Sequence, residues 1–488
     1  MACFDLTRQG LDSGAVCEAE LIAIYLPMHT ATRLACKLIP SLLAQNPGAH
    51  VCCYGLYAPM NAEYLRSLGV GTILGGEFEG ELVRLAERLE SADGIKVSNK
   101  IFPQGLKPTG AESSMSEPFE AQEKLKRTPA TLLPSQTGPM ISLERLKFEV
   151  PDRAGLAPIS KYAHLVLPDG GYRVVGSTEA SRGCKHLCRH CPIVPVYNGV
   201  FRIVERDVVL ADVRQQVAAG AQHISFGDPD FFNGIRHAME LVEAFHSGFP
   251  GVTYDATIKI EHLRTYEQHL ARLRSTGCLF VVSAVESVDD GILERLDKRH
   301  TREDFLYVAR KFREMGMTLH PTFVPFTPWT SLDGYLDLLQ VLAAEELIEN
   351  VPPIQLGIRL LIPAGSRLLE LEDVRSCVDA FDAESLVYPW RNADGRVDLL
   401  SETVQSIAAE ADRKKESRGA AFSRIWEAAH LAAGIEAPEL RMKEGRGVPF
   451  LSEPWYCCAE PTGDQLVAIG GAAVQTQRER AVIADGFV

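Results

Sequence analysis

The spacing of apolar residues changes period along the chain, and each change marks an element. Leu21-Ile-Ala-Ile-Tyr-Leu26 is a short apolar run followed by Pro27, the pattern of a buried strand running into a loop. Leu34, Leu38, Leu42 and Leu43 then recur at helical spacing and predict a helix over 30–45. Ala49–Gly55 and Val70–Leu74 repeat the strand pattern, while Ala58–Leu68 and 80–89 repeat the helical one. Strands and helices alternating at these lengths build a doubly wound parallel sheet, so residues 1–90 read as an α/β domain. The rhythm stops over 91–150. There Lys107–Pro118 and Thr128–Pro139 are rich in Pro, Ser, Gly and Thr, which is the composition of a linker.

Alternation resumes at Arg173 and fills the segment 151–378. Strands are predicted at Gly171–Gly176, His223–Phe226, Val252–Lys259, Cys278–Ala284, Thr318–Val324 and Ile354–Leu361. Helices are predicted over 211–219, 234–249, 262–275, 291–296, 301–316 and 332–345, which makes six βα units. Residues 379–488 lose the rhythm and read as helical through 399–418 and 420–433. Then Leu451-Ser-Glu-Pro-Trp-Tyr-Cys-Cys-Ala-Glu-Pro461 breaks the pattern.

Composition narrows the function classes. A chain of 488 residues exceeds one ordinary core, and 46% hydrophobic with 23% charged residues is globular usage. The formal charge of −14 argues against nucleic acid or an anionic membrane as partner. No apolar run approaches the roughly 20 residues that span a bilayer. The first residues mix acid, amide and hydroxyl side chains, so no secretory signal is visible. Twelve cysteines are too sparse for a disulfide scaffold, and their clustering suits metal or thiol chemistry in a reducing, cytoplasmic setting.

The chemistry concentrates in Ser181-Arg-Gly-Cys-Lys-His-Leu-Cys-Arg-His-Cys191. Cys184, Cys188 and Cys191 stand at Cys-x3-Cys-x2-Cys spacing, directly after the first predicted strand of the second run. Thiolates are soft ligands suited to iron–sulfur clusters, zinc or copper(I). Three on one loop can hold three corners of a 4Fe–4S cluster and leave the fourth iron open. The alternative is a structural zinc site with His186 or His190 as fourth ligand. No second cysteine pair follows nearby, and the uneven spacing fits a zinc knuckle poorly.

This spacing resembles that of the radical S-adenosylmethionine (SAM) enzymes. The resemblance implies a partial (βα)6 barrel over 151–378, preceded by a truncated doubly wound domain and followed by a mainly helical C-terminal extension. It implies a 4Fe–4S cluster whose open iron chelates SAM, reductive cleavage to a 5′-deoxyadenosyl radical, and a reducing partner such as flavodoxin or ferredoxin. In βα barrels, functional groups sit on loops after strand C-termini. Gly227-Asp-Pro-Asp230 occupies the place of the family's Gly-Gly-Glu, so Gly227 and Asp228 are candidates for the SAM ammonium, against the reading of a plain turn. Glu286 and Ser287 resemble the ribose acceptors, although Ser287 also suits a helix cap. Lys298-Arg-His-Thr301 resembles the family's helix entry. Arg359 is expected to reach inward toward SAM or substrate, because an arginine in an apolar strand needs a partner. Asp255, Lys259 and Glu261 are either substrate-facing or an internal ion-pair network.

The N-terminal segment resembles the cobalamin-binding-like domain that precedes many radical SAM cores, through Pro27-Met-His-Thr30 and Gly75-Gly-Glu-Phe78. It has three strand–helix units where that fold has five, and it lacks the Asp-x-His-x-x-Gly loop. Cobalamin is therefore not expected, and His29 reads as structural. Cys52-Cys53, within a predicted strand, reads as packing. The tail resembles a radical SAM group ending in Cys-Cys-Ala-Glu-Pro or its selenocysteine form, and that resemblance implies chemistry at Cys457 and Cys458. The expected activity is reductive SAM cleavage acting on a small molecule. One alternative is transfer of the 3-amino-3-carboxypropyl group of SAM to a thiol-bound acceptor such as trivalent arsenic. The other is a non-catalytic metal-binding regulator.

Overall fold

The structure, a computed structural model, describes residues 2–6, 8–93, 138–440 and 447–452. Near the N-terminus, strands β1 (Leu21–Tyr25), β2 (His50–Tyr54), β3 (Thr72–Gly76) and β4 (Met140–Ser142) lie side by side in that order, all parallel. One face packs Leu26, Ile39, Val51, Cys53, Leu65 and Ile73, and the other packs Cys52, Leu74 and Leu85. Cys52 and Cys53 thus point to opposite faces of β2, as strand alternation demands. Burial pushes the Cys52 thiol up to about 12, so these are packing thiols. Strand β4 falls inside the stretch predicted as linker. Three residues are too few to carry a readable period, and the strand exists through its backbone ladder, Leu74 opposite Met140 and Gly76 opposite Ser142.

The second sheet uses β5 (His164–Val166), β6 (Tyr172–Thr178), β9 (His223–Phe226), β10 (Thr253–Thr257), β11 (Cys278–Glu286), β12 (Thr318–Phe323) and β13 (Phe450–Leu451). Their order is β12-β11-β10-β9-β6-β5-β13, and the sheet curls into a half-barrel. From β6 to β12 every pairing is parallel, whereas β5 and β13 add antiparallel strands at one edge. A small ribbon of β7 (Ser181–Gly183) and β8 (Phe201–Ile203) brackets the cysteines. Helices Arg206–Ala218, Ile235–Gly248, Arg302–Glu314 and Leu332–Ala344 cover the sheet with Val213, Leu241, Phe245, Phe305 and Leu339, packed with Ile224, Tyr254 and Val281 in one core. Fully burying each such side chain contributes about 1.5–3 kcal/mol.

Two predicted elements differ. Ile354–Leu361 is not a sheet strand: Pro353–Gly357 turns as a 3₁₀ helix, and only Arg359 bridges to Phe326. Pro353 opens the 3₁₀ turn, which takes up the first half of the predicted strand. Predicted helix 262–275 is two short helices, Ile260–Thr265 and Leu270–Ser275, separated by a turn at Glu267–His269. The helical extension is not a separate body. Helices Gly395–Lys414 and Arg418–Ala433 bury Leu400, Val404, Ile425 and Trp426 in the barrel's own core.

The chain then returns to the sheet. Ser452 N–H donates to the His164 carbonyl (2.8 Å), His164 N–H donates to Ser452 Oγ (2.9 Å), and His320 Nε2 lies 2.7 Å from the Pro449 carbonyl oxygen. Cys457 and Cys458 lie outside the described residues. Among the described residues no helix is long and apolar enough to cross a membrane.

His320 fastens this return, so His320→Ala, which removes the contacts to both the Asn350 and the Pro449 carbonyls, should accelerate amide exchange over Phe450–Ser452 about tenfold. Hydrogen-exchange mass spectrometry checks this, with the β11 and β12 amides staying protected. Unchanged exchange at the tail would assign the hold to strand pairing alone.

Candidate active site

Gly183 ends β7 with φ +72, and a Cβ there would stand 2.5 Å from the Val200 carbonyl oxygen. Only glycine makes this turn without displacing backbone. The three cysteines that follow are outside any disulfide, with Cys184 and Cys188 buried and Cys191 half-buried. Lys259 Nζ lies 3.8 Å from Cys188 Sγ, and Asn233 Oδ1 lies 3.7 Å from Cys184 Sγ. Burial alone pushes the Cys184 thiol up to about 11, so a thiolate here depends on a nearby positive charge or a bound metal. The loop's backbone is tied outward as well, with Arg189 N–H donating to Leu296 O (3.0 Å) and Arg367 Nη1 to Leu187 O (3.2 Å).

Asp228 closes the loop's entry. Its Oδ2 accepts the Ala180 N–H at 2.9 Å and its Oδ1 accepts the Ser181 hydroxyl at 2.6 Å. Both oxygens are therefore engaged by the segment that leads into the cysteines, so Asp228 braces the loop from behind. Burial pushes its carboxyl up to about 7, against the opposing hydrogen bonds. The Gly227 N–H donates to Thr178 O (2.8 Å), joining the ends of β9 and β6.

Glu286 forms a second brace. The register of β11 against β12 slips between Ala284 and Glu286, and Glu286 adopts φ +71. This bulge aims the carboxylate at the loop, where Oε1 lies 3.1 Å from His190 Nε2 and 3.2 Å from Lys298 Nζ. Burial would raise its carboxyl, but Lys298 and His190 overcome that and hold it at about 2. The His300 imidazole is pushed down to about 3, by burial first and then by Lys298 and Lys259. Ser287 is turned to a cap, its Oγ accepting the Asp289 N–H at 3.1 Å.

A third group escaped the sequence reading. Asp230 Oδ2 lies 2.6 Å from His262 Nδ1 and 3.3 Å from His186 Nε2. Asp230 and His262 carried no family motif, and His186 was legible only as an alternative zinc ligand. The signal that could have found them was the pair of histidines between the cysteines facing acids at two neighbouring strand ends.

Arg359 departs from expectation. Its Nη1 pairs with Asp398 (2.8 Å), its Nη2 donates to Trp390 O (3.0 Å), and the guanidinium lies 4.0 Å from the Trp390 ring centre. Those partners belong to the extension, because the failed sixth strand leaves Arg359 on the barrel's outer seam. Asp255 is an internal-network residue, held by His223 Nε2 (2.9 Å) and Ser225 Oγ (3.1 Å), and Lys259 pairs with Glu261 at 3.5 Å. The N-terminal sheet reaches the loop too: Glu77 takes Arg182 Nη1 (3.5 Å) and the Tyr197 hydroxyl (3.2 Å), and Arg182 also pairs with Glu79 and Glu179.

Two outcomes follow from the braces. A carboxyl whose folded pKa is raised gives stability that is complete below its unfolded value near 4 and is lost as pH rises through about 7. Thermal melting of the wild type should therefore fall across pH 4–7 relative to Asp228→Asn, and parallel profiles would refute the assignment. Lys298→Met strands a buried carboxylate and should cost about 3–5 kcal/mol, with much of that recovered in Lys298→Met/Glu286→Gln. Denaturant titration of the three variants reads the coupling; additive losses would mean the pair is not coupled.

Residues 178–338 match the family described as the Radical SAM superfamily. No curated protein matches this chain in sequence. Among solved structures, the cobalamin-dependent S-adenosylmethionine radical enzyme OxsB with aqua-cobalamin bound superposes with a TM-score of 0.59 at 14% identity, over 86% of this chain and 65% of that one. OxsB with aqua-cobalamin and S-adenosylmethionine gives 0.59 at 12% identity, over 97% and 73%. The radical S-adenosylmethionine methyltransferase TsrM from Kitasatospora setae, with cobalamin and a [4Fe-4S] cluster bound, gives 0.48 at 14% identity, over 68% and 61%. This chain thus spans about two thirds of the OxsB length. Because OxsB holds cobalamin, the expectation that cobalamin is absent finds no support among the structural neighbours. The cysteine loop at the mouth of a parallel half-barrel and the family match agree: residues 178–338 are a radical SAM superfamily domain.

Proposed function

We propose that Cys184, Cys188 and Cys191 hold one 4Fe–4S cluster, that SAM binds at its open corner, and that reductive cleavage of SAM acts on a small-molecule substrate. The observation that carries this reading is the loop itself: three thiols on one turn, flanked by the buried cations Lys259 and Lys298 and braced by Asp228 and Glu286. When bound, the cluster supplies the single electron that breaks a carbon–sulfur bond of SAM. The chain's own residues fit such a guest. His190 Nδ1, Ser283 Oγ and both His300 nitrogens are buried without hydrogen-bond partners, and a polar ligand at the strand ends supplies them.

In this reading the two lysines favour the ionised thiols. Gly227 offers close backbone approach beside the loop, and the Ser287 hydroxyl faces the ribose side while capping its helix. Asp228 and Glu286 act chiefly as supports for the loop, and Arg359 serves the extension.

We further assign the chain to the group with a Cys-Cys-Ala-Glu-Pro tail, with Cys457 and Cys458 working at the barrel mouth. The direction of β13 supports this. It is antiparallel to β5, which is antiparallel to β6, so the chain leaves Ser452 heading the same way as β6, toward the cysteine-loop end.

Anaerobic reconstitution with iron and sulfide, then reduction with SAM and mass analysis of the nucleosides, tests the reading. Wild type should yield 5′-deoxyadenosine, and Cys188→Ala should yield none. Methylthioadenosine instead would move the assignment to aminocarboxypropyl transfer, and a colourless protein without iron would reject both. Visible absorbance after gel filtration with added cobalamin reports, in the same preparation, whether that cofactor is retained.

A further inference from the structure

We propose that His186, Asp230 and His262 form a second metal site, separate from the cysteines, that takes one divalent cation of the zinc class. The three residues come from three different strand ends: the cysteine loop after β6, the turn after β9, and the helix after β10. All three are buried, and His186 Nε2, Asp230 Oδ2 and His262 Nδ1 lie within 4.8 Å of one another. The two nitrogens sit 3.3 and 2.6 Å from the same oxygen. Yet none of these three buried atoms has a partner aligned for a hydrogen bond. Three buried ligand atoms that crowd together without an aligned hydrogen bond leave room for a common partner.

The donor set is chemically specific. Two imidazoles and one carboxylate suit zinc or another late first-row divalent ion, and not the soft thiolate-seeking metals. Ligands held at about 2.0–2.1 Å in a tetrahedron stand about 3.3 Å apart. The His186–Asp230 separation of 3.3 Å already meets that spacing. His262 has to withdraw by about 0.7 Å, a modest ring rotation.

The surroundings match as well. Metal-bound histidines usually give their other nitrogen to a carboxylate, which fixes the tautomer. Here His186 Nδ1 lies 3.4 Å from Glu261 Oε2. Asp230 Oδ1 meanwhile accepts the Phe232 N–H at 3.2 Å, which turns Oδ2 toward the histidines. An ion here ties the middle of the cysteine loop to the ends of β9 and β10.

The test uses the full chain after iron–sulfide reconstitution, incubated with zinc ion, freed of excess by gel filtration and analysed for iron and zinc. Wild type should carry about one zinc per chain beyond its iron. Asp230→Asn, nearly the same shape, should lose that zinc at least tenfold while keeping the iron. His262→Gln should do the same, and circular dichroism of both variants confirms that they fold. Cobalt(II) in place of zinc should give visible ligand-field bands without thiolate charge transfer. Absence of zinc from wild type, retention of zinc in both variants, or a thiolate charge-transfer band would overturn the proposal. Failure to form 5′-deoxyadenosine would not bear on it, because zinc content and cobalt spectrum are read without turnover.

Discussion

The carboxylate of Asp228 accepting the Ala180 N–H and the Ser181 hydroxyl is the contact on which the rest of the site depends. A loop carrying three cysteines has little apolar surface of its own and gains almost nothing from burial. It must be held by directed bonds. Asp228 stands at the end of β9, and Ala180 and Ser181 lead directly into Gly183 and Cys184, so these two bonds carry the sheet's rigidity into the loop. The burial that makes them strong also makes the charge costly, which is why this carboxyl sits near 7 and not in the usual carboxylate range.

The same constraint explains the second brace. A buried glutamate is tolerable only where cations answer it, and Lys298 and His190 do so for Glu286 within 3.2 Å. Lys298 and Lys259 both interact with the cysteine thiols, and each is also paired with an anion, Glu286 and Glu261. Two lysines beside the thiols supply the sign of charge that thiolate ligands need.

The barrel's βα rhythm was legible because long amphipathic helices alternate with β-branched runs, and the cysteine loop was legible because its spacing is local. The braces were not. Asp228 was found by its register after β9, but its partners are backbone and hydroxyl groups that no side-chain pattern records. Asp230 and His262 are joined only by the parallel order of β9 and β10, which a linear pattern does not contain. Strand β4 and the loss of the sixth strand failed for a related reason, since each is decided by a few backbone hydrogen bonds.

The two edges of the half-barrel are treated differently. On the β6 side, β5 and β13 extend the sheet, and the N-terminal domain adds the Glu77 contacts to Arg182 and Tyr197 beside the loop. That side is closed. On the β12 side the ladder stops after the single bridge from Phe326 to Arg359, and Arg359 is drawn away to Asp398 and Trp390. A sixth strand there would have carried the wall further round. The helical extension covers this edge with side chains in place of a ladder. Side-chain packing yields more readily than a hydrogen-bonded sheet, so the β12 edge is the more deformable of the two.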